Sequence, residues 1–312
     1  MNYFSKKLTA LIVTLLIVTI LAFLAFQVIS DPATAILGVN ATQESLDALR
    51  HQMGLDRPLV IRYFSWLFDF IRGDFGTSYS YNLPIGPMVA QKLAITASIT
   101  ILAFIIMILV SIPLGILAAR YVGGLLDHIL MVVSQITMSV PSVLMGILFS
   151  WIFGIGLRLF TPGKFISWGR SPGGYLICIL FPAISIALPR IAMTVKMLRT
   201  SLLDQMTCNY VTTAYSRGNS TLEAVSRHVL RNAVIPVITF IATSMTEIVA
   251  SCIIVEQVFA IPGLGVLLIS SIGTRDFPVV QTIIVILALW VILINFIADL
   301  LYQYIDPRIR LS

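Results

Sequence analysis

Asn209–Pro236 reads NYVTTAYSRGNSTLEAVSRHVLRNAVIP, a polar and basic segment set between two long apolar ones. The spacing predicts a short helix over Tyr210–Arg217, ended by Gly218 in the left-handed conformation that glycine adopts without steric cost. Ser220 then opens a second helix, and Glu223 three residues on completes a capping box. Arg227 and Arg231 fall four apart on one face of that helix, and the chain turns hydrophobic again at Ala233. A helix, a glycine turn and a basic helix between two membrane-length runs make a segment that projects from a membrane into the cytosol. From spacing alone it is an ordinary positively charged cytosolic loop.

The composition around this segment sets the class. Of 312 residues, 58% are hydrophobic and only 11% charged, whereas soluble domains hold about 45–50% apolar residues. The chain is expected to be an all-α, polytopic membrane protein. Its net charge of +6 is modest and dispersed, so nucleic acid is not an expected partner. Cys178, Cys208 and Cys252 show neither a disulfide framework nor metal-ligand spacing, and His51, His128 and His228 fall in three separate segments. No metal site is expected on this chain.

Lys6 and Lys7 precede an uncharged run from Leu8 to Ile29, long enough at about 1.5 Å per residue to cross a hydrocarbon core about 30 Å thick. A cleaved leader would have an apolar region of about 7–15 residues and a small-x-small site after it. This run is therefore expected to be a retained first span. Residues 30–92 form a long polar excursion with six acids and five Lys or Arg. Within it, Thr42 caps a predicted helix carrying Leu46, Leu49 and Met53 on one face and ending at Gly54. Pro58 starts a second helix reaching about Arg72, rich in aromatics at Tyr63, Phe64, Trp66, Phe68 and Phe70. Such a helix lies in the membrane interface or packs on neighbouring spans. Five more spans are expected over about Leu93–Ala119, Ile129–Ile155, Tyr175–Met197, Ala233–Val258 and Val279–Tyr304, the fourth of the six broken by Pro182 and Pro189.

The organisation is then a cytosolic end with the first span (1–29), an external loop with amphipathic helices (30–92) and a five-span core (93–312) with a cytosolic loop at 200–232. Six spans put both ends on one side, and the distribution of Lys and Arg indicates which. Lys6, Lys7, Arg120, Lys196, Arg199, Arg217, Arg227, Arg231, Arg308 and Arg310 fall on one side, whereas the short loops opposite hold only Arg158, Lys164, Arg170 and Arg275. Both termini are expected in the cytoplasm, with the chain in the cell membrane.

Several dispersed motifs narrow the reading. Thr212 to Gly218 read TTAYSRG, and His228, Leu230, Arg231, Asn232, Ala233 and Pro236 come after them at set offsets. Gly73-Asp74-Phe75-Gly76-Thr77-Ser78, Ser139-Val140-Pro141-Ser142, Phe259-Ala260-Ile261-Pro262-Gly263-Leu264-Gly265, Arg275-Asp276-Phe277-Pro278 and the tail Asp306-Pro307-Arg308-Ile309-Arg310 extend the set over nearly the whole chain. Together they resemble the permease subunits of ATP-binding-cassette importers, in particular the binding-protein-dependent dipeptide, oligopeptide and nickel branch. There an Arg-Thr-Ala-Arg-Ala-Lys-Gly run is followed by His-x-Leu-Arg-Asn-Ala-x-x-Pro. The second half of that pattern is matched closely. The first half keeps Ala214, a basic residue at Arg217 and Gly218, and carries Thr212 where such importers generally have a glutamate.

The resemblance implies a six-helix, type I ABC importer permease-like fold. It also implies a homologous second permease subunit, two cassette ATPases on the cytosolic face, an extracellular or periplasmic substrate-binding protein and surrounding membrane lipid. Tyr210, Thr212, Thr213, Ala214, Arg217, Gly218 and Glu223 would then belong to the loop that couples to the ATPases. The implied cargo is a di- or oligopeptide, with nickel or a metal chelate as the alternative within the class. No Gly-x-x-x-x-Gly-Lys-Ser/Thr phosphate loop is present. The chain is thus not expected to be an enzyme or to bind a cofactor itself, ATP and magnesium belonging to the partner ATPases.

A gradient-driven carrier or channel is the alternative of another class, distinguished by transport that needs no ATPase. Intramembrane ionisable residues are functional candidates in either case, and Arg190 and Glu247 are such residues. A charge well inside a span costs at least about 2.5 kcal/mol unless it meets water or a partner, so Glu247 either pairs with Arg190 or lines the translocation path. Glu256, nine residues later and half a turn out of phase, should face different surroundings; by resemblance its role is a structural hydrogen bond near the external end. Met131, Met138 and Met145 recur every seven residues on one predicted stripe. Such a stripe is helix packing or an adaptable lining for varied substrates, which makes Met138 and Met145 further path candidates.

Overall fold

A computed structural model describes residues 3–29, 33, 41–52, 56–218, 223 and 229–305. Its helices are α1 (Tyr3–Ile29), α2 (Gln43–Gln52), α3 (Leu59–Ile71), α4 (Ile85–Arg120), α5 (Leu125–Ser139), α6 (Ser142–Phe149), α7 (Pro172–Met206), α8 (Asn209–Ser216), α9 (Leu230–Phe259), α10 (Leu264–Gly273) and α11 (Phe277–Ile305), with a π-helical turn Ser150–Gly156 continuing α6. Met53 and Gly54 at the expected end of α2, the Ser220 capping residue, Arg227, His228 and the 306–310 tail lie outside the described residues.

By length and composition α1, α4, α7, α9 and α11 can each cross a bilayer, and a bent pair makes a sixth candidate. That pair covers the expected third span, with its break at Ser139-Val140-Pro141-Ser142. α5 stops at Ser139, Val140 is extended (φ −98°, ψ 119°), and α6 departs at 99°. The cause is local, since the ring of Pro141 excludes the α conformation from the residue before it. Conversely, Pro182 and Pro189 do not break the fourth span, because α7 runs unbroken over 35 residues; membrane helices tolerate proline where neighbouring groups satisfy the freed backbone. α10, apolar but too short to cross, forms in what reads as a loop.

The chain forms two compact units. One comprises Met1–Ile95 and Gly263–Leu293. Its core joins Ile85 and Val89 of α4, Leu264 and Leu267 of α10, and Val279 and Ile283 of α11, which explains why α4 begins already at Ile85. The inner side of α3 packs on α1: Tyr63 is buried, shares a 2.9 Å hydrogen bond with Thr19, and meets the Phe23 ring edge-on at 5.6 Å. Phe64 and Phe68 stay exposed on its other side. The segment after α3 folds into a small hairpin in which Thr77 bridges Pro84 and the Ser78 amide donates to the Leu83 carbonyl at 3.0 Å. Asp276, fully buried between α10 and α11, holds this hairpin. It accepts the Ser78 hydroxyl at 2.5 Å, the Tyr79 amide at 3.0 Å and the Ser80 amide at 3.3 Å.

The other unit comprises Thr96–Pro262 and Ile294–Ser312. Its centre is α7, which buries Ile179, Ala183, Ile186, Ile191, Val195 and Leu198 against α5, α6 and α9. α4 approaches α7 closely at Gly115, where a Cβ would lie 3.0 Å from the Leu198 Cβ. Near the end of α9, buried Glu256 accepts the Thr96 hydroxyl at 2.5 Å and lies 3.6 Å from the Cys252 sulfur.

The Asp276 tie yields the first prediction. All its partners are donors, so Asp276→Asn, which puts an amide NH2 among them, should destabilise the solubilised protein by about 1–3 kcal/mol, read as a lower unfolding midpoint and faster proteolysis at residues 77–84. Burial, and next the nearby Asp276 charge, push the Tyr79 phenol up to about 12, with Arg62 opposing. Because the neutral phenol is the form favoured on folding, this contribution is complete below the usual tyrosine value of about 10 and is lost as pH rises through about 12. An alkaline absorbance titration should show a late-ionising tyrosine that is missing in Tyr79→Phe.

Candidate functional site

The candidate coupling element starts where α7 ends. Thr207 terminates α7 and its hydroxyl donates to the Asp204 carbonyl at 2.7 Å, after which α8 begins at Asn209. Val211 and Ala214 are buried, while Thr212, Thr213, Ser216 and Arg217 are exposed. The helix therefore has an anchored face and a presented face. Its hydroxyls are satisfied locally: Thr213 donates to Asn209 O at 3.1 Å and Ser216 to Thr212 O at 3.1 Å. The Tyr210 hydroxyl reaches back to Gln205 Oε1 at 2.9 Å. Gly218 has φ +85°, with nothing within 4 Å of where a Cβ would stand. Its constraint is conformational, not spatial. Glu223 is helical and exposed.

Behind α8 the structure shows a contact that sequence reasoning missed. Asp127, buried in the first turn of α5, receives both arms of Arg199, Nε to Oδ1 at 2.6 Å and Nη2 to Oδ2 at 2.7 Å. It also accepts the Gly123 amide at 2.9 Å. Lys196, one turn earlier on α7, donates to Gln135 of α5 at 3.4 Å, and Ser201 donates to the Ala233 carbonyl at the start of α9 at 2.8 Å. The end of α7 that leads into α8 is thus tied to α5 and to α9. The available signal was an acid and a base on the same expected membrane face, but 72 residues separate them.

The charged path candidates meet. Arg190 of α7 and Glu247 of α9 form an ion pair, in which Arg190 is 21% exposed and Glu247 53%. Arg190 Nη1 also lies 3.7 Å from the Met193 sulfur. Met193 in turn lines a cavity of about 530 Å³ with Met138, Lys196, Met197, Asp204 and Phe240. Met145 does not share a stripe with Met138, because the bend after Ser139 sets it on α6. As expected from phase, Glu256 faces other surroundings than Glu247.

Residues 111–311 match the family described as binding-protein-dependent transport system inner membrane component, and residues 1–100 match the description of its N-terminal membrane part. The chain belongs to this family. This permease is similar to the probable peptide ABC transporter permease of Sinorhizobium fredii, 32% identical over 309 residues that cover 99% of each chain. A putative peptide transport system permease of Brucella abortus is 35% identical over 306 residues, 98% of each chain. The dipeptide transport system permease of Lactococcus lactis is 31% identical over 311 residues, 99% of each. The all-α, multi-pass importer permease expected from the motifs is therefore what the chain is.

The Asp127–Arg199 fork should behave as one unit. Asp127→Ala leaves Arg199 without its counter-charge and Gly123 without its acceptor, so each single replacement should lower the thermal midpoint of the purified permease. Asp127→Ala with Arg199→Ala should cost less than the two singles added. Strict additivity in that double-mutant cycle is the result that contradicts the contact.

Proposed function

We propose that this chain is the translocation subunit of an ATP-driven importer of di- or oligopeptides. The observation that carries the reading is α8, a short helix anchored by Val211 and Ala214, presenting a polar face and closed by Gly218. An element that passes movement from an ATPase to membrane helices needs this construction, compact enough to dock in a cleft and firmly joined to the helix behind it. The relatives matched end to end are described as peptide and dipeptide permeases, which supports the cargo.

In this reading Tyr210, Thr212, Thr213, Ala214, Arg217, Gly218 and Glu223 form the coupling surface for two cassette ATPases, which hold ATP and magnesium. A homologous second permease completes the path, an external binding protein delivers the cargo, and both termini lie in the cytoplasm. Arg190, Glu247 and Met138 line the path, with Met145 contributing from the far arm of the bend. Thr212 replaces an acidic contact with a hydroxyl, so Arg217 carries the charge of the presented face.

A side chain at Gly218 must hold a positive φ at about 1–2 kcal/mol or prolong α8 and rotate the chain beyond it. Gly218→Val should therefore reach the membrane normally but lose ATPase association and substrate-stimulated hydrolysis together, and Gly218→Asn, which tolerates the left-handed region, should lose less. Normal ATPase binding and transport in the valine variant would remove the coupling assignment. Orientation is read separately: a cysteine at Asn82 should react with an impermeant thiol reagent added outside, and one at Ser216 only after permeabilisation. Uptake by this chain alone, without ATPases, would establish a gradient-driven carrier instead.

A further inference from the structure

Resting on the reading of this chain as a peptide path, we propose that the Arg190–Glu247 pair is a binding site for the termini of the peptide itself, Arg190 taking the carboxylate and Glu247 the ammonium group. Both residues sit midway along membrane-crossing helices, yet Glu247 is 53% exposed. A carboxylate at that depth cannot face lipid tails without a large cost, so its open side faces the path that the second permease completes, where it meets water, that partner or a polar ligand.

The surroundings identify which. On α7, Arg190 shares a face with Met193, Met197 and Asp204, by steps of three, four and seven residues. On α9, Glu247 shares a face with Thr243, Phe240 and Pro236 in the same rhythm. Met193, Met197, Asp204, Phe240 and Pro236 all line the cavity of about 530 Å³. The pair therefore lies on the two helix faces that wall this cavity, farther along the same helices, and the Arg190 contact with the Met193 sulfur at 3.7 Å joins one to the other. Thr243 fills the step between them on α9, its hydroxyl exposed and already donating to its own helix at 3.0 Å from the Phe240 carbonyl.

This lining suits a ligand whose ends are constant and whose side chains vary. Methionines are unbranched and polarizable and repack around different apolar groups. The ion pair is the fixed element. A zwitterion can enter it by exchange, its carboxylate replacing Glu247 on the Arg190 fork and its ammonium replacing Arg190 on Glu247. No charge is then left uncompensated once both ends have exchanged. Taking the same place, a singly charged ligand would strand one member of the pair and a neutral one both.

The test uses the complete importer with its ATPases and binding protein in proteoliposomes. Uptake is compared for one peptide with free ends, its C-terminal amide and its N-acetyl form, restricted to sets that the binding protein loads equally. The wild type should favour the free peptide by about tenfold, the worth of one charge-assisted hydrogen bond. Arg190→Gln should abolish the preference over the amide and leave that over the acetylated form; Glu247→Gln should do the reverse. The doubly neutral variant Arg190→Gln/Glu247→Gln, which strands no charge, should assemble and show neither preference. Equal losses for all three peptides in the single variants, or no change, would overturn the proposal, as would failure of the doubly neutral variant to assemble, which marks a purely structural pair. If the wild type carries no peptide at all, the cargo reading itself falls, an outcome separable from every variant result.

Discussion

Three carboxylates placed where water is scarce decide how this chain can fold. Asp276 gathers donors from Ser78, Tyr79 and Ser80, Glu256 takes the Thr96 hydroxyl, and Asp127 takes the Arg199 fork. An unpaired charge in a medium of low dielectric constant costs on the order of several kcal/mol even after relaxation. Each of these bonds joins distant parts of the sequence, 198, 160 and 72 residues apart. Between helices surrounded by lipid there is little hydrophobic drive, since tails and leucines are equally apolar. Polar ties of this kind select one register among many that apolar contact alone would leave close in energy.

One helix carries most of the consequences. α7 presents Arg190 toward α9, Met193 and Met197 toward the cavity, Leu198 toward Gly115, and Arg199 toward Asp127, before ending in the turn that leads to α8. With α5 joined to it at Asp127 and Gln135, and α9 at the Ala233 carbonyl, the segment leading into α8 is bonded to two other helices.

Legibility in the sequence tracks the range of the forces involved. The apolar runs marked the crossing helices, and the left-handed Gly218 was legible because a helix end is a local event. The Arg190–Glu247 pair was open as one of two readings, since depth in a span says that a charge needs company without saying whose. Asp127 and Arg199 were invisible as a pair because nothing local links a turn residue to a helix so far along the chain. α10 was hidden by its length: ten apolar residues fall short of a span, and their helix is justified only by Leu264 and Leu267 packing beside Ile85 and Ile283. The prolines differed in legibility: the Ser139-Val140-Pro141-Ser142 motif marks a break, and the chain turns there through 99°, whereas Pro182 and Pro189 misled, since they sit inside an unbroken helix.

The turn at Val140 has a consequence for hydration. A helix that stops inside a hydrophobic stretch leaves its last carbonyls without intrahelical donors, and the one that restarts leaves its first amides without acceptors. The hydroxyls of Thr137 and Ser139 turn back onto the Val133 and Gln135 carbonyls, at 2.8 and 2.9 Å, and so are spent on oxygens one turn before the break. Irregular backbone at such depth survives only against protein or beside water. The elbow between α5 and α6 therefore marks a place from which lipid tails are excluded, by packed protein or by water, and it gives this span a sidedness that its composition, apolar throughout, does not show.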